Sequence, residues 1–252
     1  MSLIEPSQRD PLPKFAMLSL PSKQGHEELA IDEALLEGAE AGEGGEIARI
    51  WELQSPVVVV GRGSRLGEEV SLERCQEDRV PVLRRCSGGA AIVAGPGCLL
   101  YSLVLSMDLR PDLRKLDRVH HFVMHQLLAA LAPHLDQLRM EGTCDLTWKG
   151  RKFSGNSLRL TRNWILYHGT ILYASDLELV GRYLRMPPRR PAYRADREHE
   201  HFVTNIPLSR TLLVDALQQQ WSEGSLLDTY PHPRAERLLA ERYENPHWHA
   251  RH

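Results

Sequence analysis

The stretch "CLLYSLVLS", Cys98 to Ser106, narrows the fold more than any other part of the chain. It is β-prone, and its apolar side chains fall on both faces of an extended backbone, so it predicts a strand buried inside a sheet. Such a strand needs partners, and the flanking sequence supplies them. "IARIWEL" and "PVVVVGRG" read as two strands joined at Gln54-Ser55-Pro56, which predicts a hairpin. "VPVLRR" and "WILYHGTILYA" read as further strands, and "DLTWKGRKFSGNSLRL" as a hairpin turning at Lys149-Gly150. Helices are predicted for "GHEELAIDEALLEGAEAGEGG", with Ile31, Ala34 and Leu35 on one side, and for a short piece in "EEVSLERCQEDR". Another covers residues 116–135, where Val119, Phe122, Val123 and Leu127 keep helical spacing. A Pro- and Arg-rich stretch, "MPPRRPAYRADREHEHF", predicts irregular backbone, and two helices, "SRTLLVDALQQQWSE" and "PRAERLLAERY", close the chain. Hairpins set between helices point to an α+β fold with a largely antiparallel sheet.

Composition bounds what such a fold can do. The 252 residues, 42% hydrophobic and 25% charged, suit one large soluble domain, or one domain with a small appendage, with a real core. A formal net charge of -2 argues against a general nucleic-acid or membrane binder, so any anion site must be local. "MSLIEPSQRD" has neither a basic start nor an apolar signal core, and no apolar run approaches the roughly 20 residues that span a bilayer. The four cysteines, Cys75, Cys86, Cys98 and Cys144, form no Cys-x-x-Cys pair. A cytoplasmic protein with free thiols is expected.

Three features suggest functions that their context removes. Gly61-x-Gly63 follows a strand, but Gly67 sits one place too late for a dinucleotide loop, and no Gly-Lys-Ser/Thr occurs for a P-loop. His121 with His125, and His199 with His201, lack a third ligand at matching spacing, so no metal ligand from the protein is expected. The C-terminal "PHWHARH" reads as a frayed tail.

Three segments set glycine beside hydrogen-bond donors, as a backbone does where it closes on an anion. They are Arg84-Arg85-Cys86-Ser87-Gly88-Gly89, "CDLTWKGRKFSGNSLR" from Cys144 to Arg159, and "YHGT" from Tyr167 to Thr170. In the second, Lys152 follows a basic turn and precedes Ser154-Gly155, where a lysine in a β-segment can enter a cleft as a fixed cation. Taken singly, each also fits an ordinary turn or a solvated basic hairpin.

Together, and in this order, the segments resemble the lipoate–protein ligase A family, within the wider group of biotin/lipoate ligases and lipoyl/octanoyl transferases. The family's Arg-Arg-x-Ser-Gly-Gly-Gly falls on Arg84 to Ala90, and its Asp-Leu on Asp145-Leu146. Its Gly-x-Lys-x-Ser-Gly falls on Gly150 to Gly155, and its His-Gly-Thr on His168 to Thr170. The resemblance covers roughly residues 25–185. It implies the fold of class II aminoacyl-tRNA and biotin synthetases, a largely antiparallel central sheet flanked by helices that lie on one side. It implies Lys152 as the catalytic lysine that contacts the acyl carboxylate and the adenylate phosphate. It implies a substrate and nucleotide cleft of Arg85, Ser87, Gly88, Gly89, Ala90, Gly97, Cys98, Asp145, Gly155, Ser157, Arg159, His168, Gly169 and Thr170, with Arg85 on the lipoyl side.

The activity implied is activation of lipoate, or octanoate, by ATP with Mg2+ to give lipoyl-AMP. The acyl group then passes to a lysine of an acceptor, the glycine-cleavage H protein or a lipoyl domain of a 2-oxo acid dehydrogenase. The chain departs from the family pattern at Ala90, where a third glycine is usual, at Ala94-Gly95, where His-Asp is usual, and at Cys98, where asparagine is usual. One catalytic domain, 1–252, is expected, with a helical extension over 186–252 and no separate C-terminal accessory domain, which some relatives keep on another chain. Two further readings stay open: a transferase that carries the acyl group as a thioester on Cys144, and a homologue that binds lipoyl groups without catalysis. A biotin ligase is not implied, because its Gly-Arg-Gly-Arg-x-Gly-Arg loop is missing.

Overall fold

Every residue of Cys98–Ser106 is buried, and the main sheet extends outward from it on both edges. The structure, a computed structural model, describes residues 14–252, so "MSLIEPSQRD" lies outside the described residues. The described residues hold β1 (Phe15–Leu18), β2 (Ile47–Trp51), β3 (Val57–Val60), β4 (Val82–Arg84), β5 (Ile92–Ala94), β6 (Cys98–Ser106), β7 (Leu138–Glu141), β8 (Asp145–Trp148), β9 (Arg151–Leu160), β10 (Trp164–Leu172) and β11 (Ser222–Leu227). Eight of them form one sheet in the order β11-β1-β2-β6-β10-β9-β8-β7. Its pairings are antiparallel from β2 through β6, β10, β9 and β8 to β7, and parallel where β1 meets β2 and β11.

The expected hairpin of β2 and β3 does not form. β2 pairs with β1 and β6, whereas β3 is the middle strand of a separate sheet, β4-β3-β5. All four residues of β3 are buried, so its backbone needs a partner on each edge, which a two-stranded hairpin cannot give. The hairpin at Lys149-Gly150 does form. Both turn residues have positive φ, 51° and 73°, the primed geometry that suits twisted antiparallel strands.

Helices cover both sides of the large sheet rather than one. Alternate residues of β6 point to opposite faces, and both sets are mainly apolar, so each face needs cover. On one face, α1 (Gly25–Glu40) packs Ile31, Leu35 and Leu36 with Val104 and Leu166. On the other, α2 (Leu116–Leu131) and α3 (Arg210–Trp221) pack Val119, Val123, Leu127, Leu213 and Trp221 with Leu99, Tyr101, Leu103 and Leu105. A further helix, α4 (His232–Leu238), contributes Ala235 and Leu238 to a cluster with Leu29, Ala34 and Val59. Among the described residues no helix is long and apolar enough to cross a membrane.

Two readings of the C-terminal part need correction. The stretch after residue 186 is not helical throughout, because the chain leaves α3 at the buried Trp221 and continues as β11 along β1. The tail "PHWHARH" is not frayed. Trp248 Nε1 donates to Arg84 O (2.9 Å), and the backbone N–H of Arg84 donates to His249 Nδ1 (2.9 Å).

Candidate active site

The three glycine-bearing segments meet at one place, because β9 and β10 pair side by side and the loop after β4 lies across them. Ser157 is opposite His168 in that pairing, and Ser157 Oγ donates to Gly88 O (2.8 Å). Two cavities open there. The first, of about 120 Å³, is lined on its apolar side by Leu29, Trp51, Val59 and Leu100, with Tyr101, Asn156 and His168 as polar points. The second, of about 160 Å³, is walled by the Pro- and Arg-rich stretch, including Arg185, Arg189 and Arg194, and by Glu69 and Phe202. Ala90, Ala91, Ile92, Lys152, Gly155 and Thr170 line both cavities, so Lys152 stands at the junction.

A slip in strand pairing sets Lys152 there. Leu146 faces Ser154, but Thr147 faces Lys152, so Phe153 is an extra residue on β9 and forms a bulge. Residues three apart on a regular strand point to opposite faces. The bulge brings Lys152 and Gly155 to the same face instead, and a Cβ at Gly155 would lie 2.8 Å from Lys152 Nζ. Glycine is therefore needed for the lysine to cross it. The Lys152 ammonium pairs with Asp145 Oδ1 (2.7 Å), and Tyr193 Oη donates to Asp145 Oδ2 (2.7 Å).

The loop closes on its own arginine. Arg85 is buried and donates to Val59 O (3.2 Å), Ser87 Oγ (3.1 Å), Gly88 O (2.5 Å) and Ala90 O (3.0 Å). Burial pushes its guanidinium down to about 10, which leaves it charged at neutral pH. Gly89 has φ +85°, a conformation that glycine permits, and a Cβ there would meet Arg85 Nη2 at 2.8 Å. Arg84, the first of the two adjacent arginines, is fully buried and faces the other way.

Beneath the loop runs a buried polar chain. Ser87 Oγ lies 2.5 Å from His168 Nε2, and His168 Nδ1 lies 3.2 Å from Asp32 Oδ2. A carboxylate only accepts, so Nδ1 carries a proton and donates to Asp32. Asp32 also accepts from Ser102 Oγ (2.6 Å) and Arg49 Nη1 (2.8 Å), and Arg49 reaches Glu28 as well. Burial raises the Asp32 carboxyl, but Arg49 and the hydrogen bonds from His168 and Ser102 outweigh it and hold the group below its ordinary value.

Of the residues expected from sequence, Arg85, Gly89, Ala90, Lys152, Gly155, Ser157, His168, Gly169 and Thr170 line the first cavity. Asp145 joins through Lys152. Ser87, Gly88 and Arg159 line a shallower hollow on the outer side of the loop, with Arg62 and Arg251. Gly97 and Cys98 line neither cavity. Gly97, at φ +82°, accepts from Tyr173 N (3.0 Å) and Ala174 N (3.1 Å) and forms a structural turn. Cys98 is buried, and its thiol is pushed up to about 12. The Cys144 thiol donates to Asn156 O (3.0 Å) and lines neither cavity. Burial, with Asp145 beside it, pushes that thiol up to about 11.

Sequence reasoning missed Asp32, Tyr101, Asn156 and Tyr193. Tyr101 had a signal, the one phenolic hydroxyl in a strand whose other polar side chains are two serines. Its Oη donates to Asn156 Oδ1, and Asn156 Nδ2 donates to Cys144 O (2.8 Å). Asp32 had another, an acid one residue from Ile31 in a helix whose buried side already carries Glu28.

The lipoyl protein ligase A/B catalytic domain matches residues 24–224 of the chain. The probable lipoate-protein ligase A of Mycoplasma pneumoniae is 25% identical over 221 residues, 86% of this chain and 64% of that protein. The chain thus spans somewhat less than two thirds of that relative's length. Octanoyltransferase LipM of Oceanobacillus iheyensis is 23% identical over 254 residues, 92% of each chain. Among solved structures, a bi-partite lipoate protein ligase from Thermoplasma acidophilum, described with its E2 lipoyl domain, superposes with a TM-score of 0.77 at 19% identity, covering 94% of this chain and 96% of that one.

Proposed function

We propose that this chain, which belongs to the lipoyl protein ligase A/B catalytic-domain family, links lipoate to a lysine of an acceptor protein through lipoyl-AMP. One observation carries the reading: two cavities of different character share a wall, and the lysine of that wall stands between them. The first, with its apolar inner side, suits the acyl chain. The second, with Arg185, Arg189 and Arg194, suits a nucleotide and its phosphates. The acyl-phosphate anhydride would then lie at Lys152.

The chemistry requires two anions to meet. The lipoate carboxylate attacks the α-phosphorus of ATP and pyrophosphate leaves. A cation held between them offsets the repulsion, about 4 kcal/mol for unit charges 4 Å apart near a protein surface. Lys152 can leave Asp145 for this, and Tyr193 remains to hydrogen-bond the carboxylate left behind. In the second step the acceptor amine attacks the acyl carbon, an amide forms, AMP leaves and the amine loses a proton. Lys152 remains beside the carbonyl oxygen that gains charge.

Magnesium would enter on the ATP phosphates. The acceptor would be a lipoyl-domain protein or the glycine-cleavage H protein. A small accessory domain on another chain would assist adenylation, a reading supported by the bi-partite ligase of similar fold. The likeness to an octanoyltransferase favours a second reading, thioester chemistry at Cys144. The geometry weighs against it, because that thiol is spent on Asn156 O and its thiolate is disfavoured.

Intact-mass analysis of the acceptor tests the proposal. Synthetic lipoyl-adenylate should lipoylate it, and lipoate with ATP should do so more slowly. An acceptor modified only from octanoyl-carrier protein, with an acyl adduct on the enzyme, would replace the ligase by the transferase.

A further inference from the structure

Arg84 opens the glycine-bearing loop, yet its guanidinium takes no part in either cavity. It is 0% exposed and bonds only to backbone carbonyls. Nη1 donates to Gly61 O (2.7 Å) and Ser64 O (2.8 Å), and Nη2 to His249 O (3.0 Å) and Arg251 O (2.6 Å). Nε donates to Trp248 O (3.2 Å). The buried charge is thus divided between a turn at residues 61–64 and the tail at residues 248–251. The turn reaches the loop in its own right: Arg62 N donates to Ser87 O (2.7 Å) and Ser64 Oγ to Gly89 O (3.3 Å). The tail is fixed by side chains on either side. His249 Nδ1 takes the Arg84 N–H while its Nε2 donates to Tyr243 O (3.0 Å), and Arg251 stacks on the Trp248 ring at 3.8 Å.

We propose that Trp248–Arg251 are a strap that positions the Arg85–Ala90 loop, acting through Arg84 and the turn at residues 61–64. Without the tail carbonyls, a buried guanidinium would be left with unmet donors, and the turn and loop would loosen together. The strap touches neither cavity, so its residues are positioning residues. The proposal rests on the acyl-adenylate reading only for its ligand.

Full-length His249→Leu, Trp248→Ala and His249→Asn variants test it, with hydrogen exchange and titration of a nonhydrolysable lipoyl-adenylate analogue. His249→Leu and Trp248→Ala should speed exchange of the amides that hold the loop, Arg62 N–H on Ser87 O and Arg85 N–H on Val60 O, about tenfold and weaken the analogue about tenfold, with β6 protection unchanged. His249→Asn should stay near wild type, because its amide oxygen can accept from Arg84 N. Unchanged loop exchange in both disruptive variants would overturn the proposal. So would loss of protection in β6 to the same degree as in the loop, which marks a merely structural role. If wild-type protein ignores the analogue, the acyl-adenylate reading falls, and loop exchange still judges the strap.

Discussion

Gly155→Ala separates the lysine's position from the stability of the fold. The new methyl would lie 2.8 Å from both Nζ and Cε of Lys152 and 3.7 Å from Asp145 Oδ1. Ordinary contact needs about 3.5–4.0 Å, so the lysine end must move by roughly 1 Å. That end is flexible and 27% exposed, and its ion pair with Asp145 is worth under about 1 kcal/mol to folding. Alanine also narrows the unfolded ensemble, which returns a similar amount. Stability should therefore stay within about 1 kcal/mol, a midpoint shift of about 2–4 °C. Catalysis is less forgiving, since a displacement of about 1 Å at a reacting centre can cost about 100-fold, or about 2.7 kcal/mol. The assay is single-turnover transfer from lipoyl-adenylate to an acceptor, beside a thermal melt. Wild-type transfer by a folded Gly155→Ala protein would refute the idea that Lys152 acts from its position over Gly155.

Lys152→Ala should fold normally and lose about 100-fold or more in transfer, and Lys152→Arg should fail too, because a planar fork does not replace a point charge, both by the same assay. Gly89→Val should abolish analogue binding in calorimetry, since φ +85° strains a β-branched residue and its Cβ meets Arg85. Cys144→Ser should keep adenylate-driven transfer largely intact, as AMP is the leaving group. With its thiol near 11, the thiolate of Cys144 is about one part in a thousand at pH 8, so iodoacetamide labelling should rise about tenfold per pH unit up to that value, followed by peptide mass mapping.

The legible parts of the fold were those whose physics is local. The two faces of "CLLYSLVLS" required burial, and Lys149-Gly150 supplied the two positive φ angles of a tight hairpin. The meeting of the three glycine-bearing segments was foreshadowed by their likeness to a family. The illegible parts depend on partners distant in sequence. Asp32 is tolerable in α1 only because Arg49 arrives from β2, and "SEGSLL" becomes β11 only because β1 offers an edge. β2 and β3 look like neighbours along the chain, but the burial of all four β3 residues outweighs proximity. The bulge at Phe153 leaves no signature in composition, although it decides which way Lys152 points.

The place of β1 between β2 and β11 also bears on how the chain folds. One neighbour follows within a few tens of residues, whereas the other lies beyond almost all of the intervening sequence. Closing so long a loop carries a large entropic barrier, and pairings of this kind form late. The antiparallel run from β10 through β9 and β8 to β7 is made of near neighbours and can assemble early, bringing Lys152 and Asp145 together while the β1 edge is still open. The chain would then pass through an intermediate with a formed catalytic pair and an exposed parallel edge, and that edge is where crowded, newly made molecules would stick to one another.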